Sequence, residues 1–223
     1  MTSGPLRIID VSHTIEDGMI TYAGLPGPRI CDFMSREASR SKYTAGTEFH
    51  IGEITMVGNT GTYVDVPFHR YEDGADLADA ALSSLVNLET LIVRYDPGHD
   101  RAIDEIGSSG SDVRGRAVLF QTGWDRNWRS DSYHVGHPYL TAKLAEVLRG
   151  MGVALVGIDS FNIDCTDGGD RPVHTALLGA GIPIVEHLRG LSEAPEKGGL
   201  FFAAPPKVRG FGSFPVRAFI LAP

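Results

Sequence analysis

The sequence predicts a mixed α/β domain, and three observations carry that reading. Apolar runs of strand composition outnumber helical ones, three segments nevertheless carry helical spacing, and Gly-, Pro- and Asp-rich stretches separate them. Strands are expected in 6–12 (LRIIDVS), 48–57 (EFHIGEITMV), 88–96 (LETLIVRYD), 116–123 (RAVLFQTG), 153–159 (VALVGID) and 216–222 (VRAFILA), all rich in β-branched or aromatic residues. Helices are expected over 76–86 (DLADAALSSLV), 139–150 and 172–180. In the second of these, Leu140, Leu144, Val147 and Leu148 make an i, i+4, i+7, i+8 stripe, and Gly150 follows as a stop. The stretches 24–30, 161–172 and 205–215 read as loops. Long loops in a compact domain are more often functional than idle.

At 223 residues, with 42% hydrophobic and 22% charged residues, the chain fits one globular domain spanning 1–223. A net charge of -8 argues against nucleic acid or an anionic membrane as partner, because both demand a basic face. A small, uncharged or weakly charged substrate fits that balance better. The first residues lack a cationic start followed by an apolar core, so no signal peptide is expected, and no apolar run reaches membrane-spanning length. Cys31 and Cys165 have no metal or disulfide spacing and read as buried thiols of a cytoplasmic protein.

Residues 58–71, GNTGTYVDVPFHRY, alternate Asn59, Gly61, Tyr63, Asp65, Pro67 and His69 with Thr60, Thr62, Val64, Val66 and Phe68, the period-two pattern of a half-buried strand. Competing motifs fall away. DCTDGGD at 164–170 lacks the residues of a calcium loop and reads as a surface loop, and GAGIPIVEH at 179–187 does not link a strand to a helix as a dinucleotide site requires. No GxSxG elbow supports an acyl-enzyme.

The segment NTGTYVDVPFH resembles the signature H-x-G-T-H-x-D-x-P-x-H of the cyclase family, which includes bacterial kynurenine formamidases and isatin hydrolases. Further similar stretches follow in order: IDVSHTIEDGM, LFQTGW, VALVGIDSFNID, HTALLGAGIPIVEHLRGL and FPVRAFIL. The resemblance implies the swivelling β/β/α fold, a mixed sheet with flanking helices, and two metal ions of the zinc or manganese type. Position by position, it implies a first ion at Asn59, Tyr63 and Asp65, a second at Asp65, His174 and Glu186, and His69 as general acid/base.

The first of these sets departs from the signature, which has histidines where this chain has Asn59 and Tyr63. An amide oxygen is a weak donor and a phenol, with pKa near 10, binds well only after losing its proton. One ion, at Asp65, His174 and Glu186, is therefore expected, or none. Residues four apart on an extended strand lie about 13 Å from each other. Asn59 and Tyr63 thus converge only if Gly61 bends the chain. Tyr63 is expected either to donate a hydrogen bond to a substrate oxygen or simply to pack. Glu186, in the apolar run IPIVEHL, needs a cation or metal partner. Tyr22, His50 and Asn59 are candidate substrate-binding residues, with His13 a weaker candidate. His99, His134, His137 and His187 read as structural or surface histidines, and Trp124 as core.

Three functions fit these residues. The first is a hydrolase of an amide, formamide or lactam C–N bond of a small aromatic substrate, in which activated water attacks the carbonyl and His69 moves the proton to the leaving nitrogen. The second is a metal-free cyclising, dehydrating or isomerising enzyme using Tyr63, Asp65 and His69, and the third a small-molecule binder without chemistry. Four buried polar groups are costly for a pure binder. The resemblance also implies a homodimer or homotetramer, with GMITYAGLPGPRI as an arm toward a neighbour.

Overall fold

The structure, a computed structural model, describes residues 6–96, 98, 100–107 and 112–223, so His99 lies outside the described residues. Its centre is a mixed nine-stranded sheet. In spatial order the strands are β1 (Arg7–Asp10), β13 (Phe219–Ala222), β11 (Lys197–Phe202), β5 (Val86–Arg94), β7 (Ala117–Gln121), β9 (Leu155–Ile158), β10 (Ile184–Glu186), β4 (Tyr63–Asp65) and β12 (Ser213–Pro215). The pairs β5–β7, β7–β9 and β9–β10 are parallel and the rest antiparallel.

Alternation sorts the sheet's side chains to two cores. Leu119 and Leu155 face a cluster with Ile9, Val64, Val185 and Phe201, while Val118, Phe120 and Val156 face the opposite cluster. Two helices, α2 (Ala142–Met151) and α3 (Pro172–Gly179), cover that second face with Leu144, Leu148, Val173 and Leu177. Both helices therefore lie on one side. Helix α2 starts at Thr141, whose side chain accepts from Leu144 N, and ends at Gly152 in the left-handed region, φ 72°, two residues beyond the stop expected at Gly150.

A second sheet is a hairpin of β2 (Arg29–Met34) and β3 (Ile51–Thr55), with the single-turn α1 (Arg36–Ser39) between them. The strand expected at 48–57 is thus real but sits in this separate, exposed arm, and β2 begins at the end of an expected loop. A third, two-residue pair joins β6 (Ala102–Ile103) to β8 (Tyr139–Leu140).

Two expectations are corrected. Segment 76–86 is not a helix: Asp76 Oδ1 accepts from Ala78 N (2.9 Å) and Asp79 N (3.0 Å), and Leu77 N donates to Phe211 O (2.9 Å). Asp76 thereby caps a single turn, closed by Ala80 N on Asp76 O at 2.8 Å, and the extended Ala81 (ψ 124°) ends it before the one-turn Leu82–Ser84. Nor do residues 58–71 form one half-buried strand. Only Tyr63–Asp65 pairs as a strand, it is wholly buried between β10 and β12, and Pro67–His69 is a single helical turn. The bend expected at Gly61 is present, with φ 63°. A Cβ there would lie 3.1 Å from Ile15 Cγ1.

Candidate active site

Register assembles the site. Pairing of β10 with β4 sets Glu186 opposite Tyr63, and pairing of β12 with β4 sets Ser213 opposite Asp65. Glu186 ends β10 at the carboxyl edge of the parallel strands, where open α/β sheets place ligands. Helix α3 brings His174 to the same point.

Asp164 fixes that helix and its histidine. The wholly buried Asp164 carboxylate accepts from Val173 N at 2.8 Å and His174 N at 3.0 Å, capping α3. It also accepts from His174 Nδ1 at 2.6 Å, which holds the proton there and leaves Nε2 as a lone pair for the site. His174 Nε2 lies 3.5 Å from Asp65 Oδ2 and 3.9 Å from Glu186 Oε1. Asp65 is fully buried, and among the described residues its Oδ2 has no hydrogen-bond partner. Such an orphaned carboxylate oxygen beside an imidazole lone pair fits a cation.

The electrostatics point the same way. Burial opposes charging His174, yet the hydrogen bond to Asp164 and the nearby carboxylates of Asp65 and Glu186 outweigh it, pushing its pKa up to about 10. Burial also pushes Glu186 above the usual carboxylate range, with Asp65 adding to the effect and His174 opposing it. Without metal, His174 itself is thus the cation. A linkage prediction follows from the sign. A pKa raised from 6.5 to about 10 means stability fully present below pH 6.5 and lost as pH rises toward 10, at about 1.4 kcal/mol per unit. The buried Tyr22, Tyr63 and Tyr133 are held well above their ordinary 10, and His13 and His187 are held low, so none of these acts in that window. Melting of chelator-treated protein is expected to drop steadily from pH 7 to pH 9.5, and Asp164→Asn to flatten the slope; a flat wild-type profile contradicts it.

A second relay runs to His69. Ser213 Oγ donates to Asp65 Oδ1, so the His69 Nδ1–H is the donor in its 2.8 Å bond to Ser213 Oγ. In the neutral ring this tautomer leaves the lone pair on His69 Nε2. The His69 side chain is 35% exposed, in contrast to the fully buried Asp65.

The other sequence candidates fall on either side of the pocket wall. Tyr63 donates its proton to Glu186 Oε2, and Tyr22 Oη lies 2.7 Å from Tyr63 Oη and 3.2 Å from Glu186 Oε2. Asn162 Nδ2 donates to Tyr22 Oη at 3.1 Å. Tyr63 is thus committed to holding Glu186, which corrects its expected role as a donor to substrate. Its burial, then the Glu186 charge, push the phenol further from ionising, against a ligand role in a first metal site. Asn59 and Tyr22 line the cavity of about 760 Å³ that contains His69, His174 and Glu186. His50 does not: it lies on the exposed hairpin, 2.8 Å from Asp32 Oδ1, because the strand expected to carry it belongs to the arm. His13 is also elsewhere, stacked on Trp128 at 4.0 Å.

Sequence reasoning missed four residues. Asp164 was placed in a surface loop, yet the argument applied to Glu186, a carboxylate in an apolar run, applies equally to VALVGIDSFNID. His187 is buried behind the site, with Nε2 3.1 Å from Tyr22 Oη, Nδ1 2.8 Å from Tyr133 Oη and φ 54°. Ser213 and Asn162 carried no local signal.

The chain matches the family model described as "Putative cyclase" over residues 9–165. A kynurenine formamidase of Erythrobacter litoralis is 30% identical over 206 residues, which cover 91% of this chain and 88% of that protein. A predicted metal-dependent hydrolase from Bacillus stearothermophilus is similar in structure, with TM-score 0.77 and 26% identity over 99% of this chain and 100% of that one. Isatin hydrolase A from Labrenzia aggregata, bound to benzyl benzoate, shares the fold with TM-score 0.83 and 21% identity, over 100% of this chain and 96% of that one. With the buried Asp65, His174 and Glu186 converging at one pocket and the family model covering well over half of its length, the chain belongs to the cyclase family.

Proposed function

We propose that the chain is a hydrolase of the amide-type C–N bond of a small aromatic substrate, similar to kynurenine formamidase, working with one divalent ion of the zinc or manganese type. The observation that carries this reading is the partnerless Asp65 Oδ2 facing His174 Nε2, whose other nitrogen is fixed by Asp164. Asp65, His174 and Glu186 would hold a divalent ion, which would supply Lewis acidity toward water and the carbonyl. Everything else is done by side chains. Asp164 fixes the His174 tautomer, and Tyr63 and Tyr22 hold Glu186 Oε2. His69 Nε2 takes the proton of the attacking water and returns it to the leaving nitrogen. Asp65, His69 and His174 also offer ligand atoms within 4.8 Å of one another. We assign His69 to the proton because its Nδ1 is spent on Ser213 and its ring is the exposed one of the three.

Metal analysis is expected to find at most one transition ion per chain. Two ions at comparable occupancy would make Asn59 and Tyr63 competent ligands. The functional test is hydrolysis of N-formylkynurenine, isatin and simple aryl formamides before and after chelation. Turnover that survives chelation sinks the metal reading and favours the metal-free enzyme.

Assembly belongs to the same proposal. The hairpin exposes Ile30, Phe33, Phe49, Ile51 and Ile54, with Phe33 at 70%, and a second copy of the chain is the proposed cover, giving a homodimer or homotetramer. Light scattering at micromolar concentration should read a multiple of the 24.0 kDa chain; a clean monomer counts against it. Among the described residues no helix is long and apolar enough to cross a membrane. The free thiols Cys31 and Cys165 support a cytoplasmic setting.

A further inference from the structure

One buried imidazole has no part in the reaction as proposed. His187 follows Glu186 directly, is wholly buried and holds a left-handed backbone, φ 54°, that is uncommon for any residue but glycine. Such a conformation persists only where its surroundings over-determine it. Here Thr62 Oγ1 donates to His187 O at 2.5 Å, and the next amide, Leu188 N, donates to Ile158 O at 3.0 Å. The ring lies in a cage of Tyr22, Trp128, Tyr133 and Phe161, with ring centroids 5.3 to 6.0 Å away. Each of its nitrogens meets one hydroxyl: Nε2 lies 3.1 Å from Tyr22 Oη and Nδ1 lies 2.8 Å from Tyr133 Oη.

Counting donors fixes which nitrogen carries the proton. Burial holds His187 neutral, so one nitrogen donates and the other accepts. Among the described residues the buried Tyr133 hydroxyl has no partner except His187 Nδ1. If Nδ1 carried the proton, the phenol's own O–H would be left buried and unbonded, the costlier arrangement. Tyr133 therefore donates to Nδ1, and His187 Nε2–H donates to Tyr22 Oη. Asn162 supplies a second donor to that oxygen: its Oδ1 accepts from Asp164 N at 2.9 Å, so its Nδ2 gives the 3.1 Å bond to Tyr22 Oη. Both lone pairs of Tyr22 are then filled. Its single proton is left for Tyr63 Oη (2.7 Å), Phe161 O (3.1 Å) or Glu186 Oε2 (3.2 Å). Two of these acceptors are the ligand carboxylate and the phenol bonded to it, and a bond accepted by Tyr63 strengthens the one it gives to Glu186. In the opposite tautomer a bare His187 Nε2 would draw the Tyr22 proton away from Glu186.

We propose that His187 and Tyr133 are positioning residues of the active site: they fix the Tyr22 proton on the Glu186–Tyr63 pair, so that phenols hold Glu186 Oε2 and Oε1, 3.9 Å from His174 Nε2, is left as the ligand atom. The proposal rests on the metal-hydrolase reading only for the ion that Glu186 would hold. The tautomer it requires belongs to the protein alone. Nitrogen-15 NMR of histidine-labelled wild-type protein reads that tautomer, with the His187 signals assigned by the shifts that Tyr133→Phe causes. The proton is expected on Nε2, with a bare Nδ1, whether or not zinc is added. A proton on Nδ1, or an even mixture of the two tautomers, overturns the proposal.

Zinc affinity, measured by competition with a chromophoric chelator, reads the consequence without turnover. His187→Leu is expected to weaken zinc binding about 10-fold, as for other groups that orient a ligand from behind. His187→Gln, whose amide still donates toward Tyr22 Oη, should restore most of the affinity. A cycle with Tyr22→Phe separates positioning from packing. If His187 acts through the Tyr22 proton, His187→Leu costs almost nothing further once that hydroxyl is gone. Additive losses, or a His187→Gln variant as weak as His187→Leu, overturn the proposal. Tyr133→Phe deletes one hydroxyl and little volume, so it takes the place of His187→Leu in the cycle if that variant fails to fold, with a smaller loss of the same kind. An Nε2 proton in a protein that takes up no zinc sinks the metal reading and leaves the positioning of Tyr22 standing.

Discussion

Replacing His69 by alanine is expected to lower turnover of an aryl formamide by about 10²- to 10⁴-fold with the metal content unchanged. The size follows from losing the proton carrier, and the retained metal from the division of labour in the site. Asp65 Oδ2 and His174 Nε2 face each other across 3.5 Å, whereas His69 Nδ1 is bonded through Ser213 to the other Asp65 oxygen. Ser213→Ala should reproduce a smaller part of the loss and shift the pH profile of kcat/KM, because the imidazole then loses the partner that fixes its tautomer. Metal analysis alongside the kinetics decides the assignment. If His69→Ala empties the protein of metal, His69 is a ligand and the acid/base must be sought elsewhere.

The convergence of these side chains at one pocket was only partly legible in the sequence. Asp65, His174 and Glu186 were readable because the chain resembles a family signature at those positions and because a carboxylate in IPIVEHL needs a partner. The bend at Gly61 followed from the reach of an extended chain, and φ 63° bears it out. Ser213 was not readable. It is 148 residues from Asp65 and meets it through the register of β12 on β4, which no local pattern encodes. The same limit misplaced His50, since alternation in EFHIGEITMV announces a strand and says nothing of which sheet receives it. Segment 76–86 misled for another reason: its leucine and alanine spacing is helical and Asp76 caps a first turn, but the extended Ala81 breaks the run after that one turn. Tyr63 was read as a donor to substrate because a phenol standing in a ligand position could do some of the work of a Lewis acid. Here Glu186, set opposite by strand pairing, takes its proton.

Asp65→Ala is the substitution expected to do most damage, removing metal binding and lowering turnover by about three orders of magnitude or more, the scale of several kcal/mol of charge stabilisation. Asp65 contributes the oxygen that no other group satisfies, and its second oxygen accepts the hydroxyl that aligns His69, so one change removes the ligand and loosens the base. Tyr63→Phe is the comparison that gives the result meaning. It deletes one hydroxyl from the Glu186 carboxylate, which keeps its bonds from Ile163 N (2.6 Å) and Tyr22 Oη (3.2 Å). The loss should therefore stay near 10- to 100-fold, the range for groups that only orient a ligand, and added metal should recover part of it. Melting curves of the chelated variants exclude simple unfolding as the cause. If metal-independent turnover collapses as completely with Tyr63→Phe as with His69→Ala, the phenol is a principal acid and the single-metal hydrolase gives way to the metal-free enzyme.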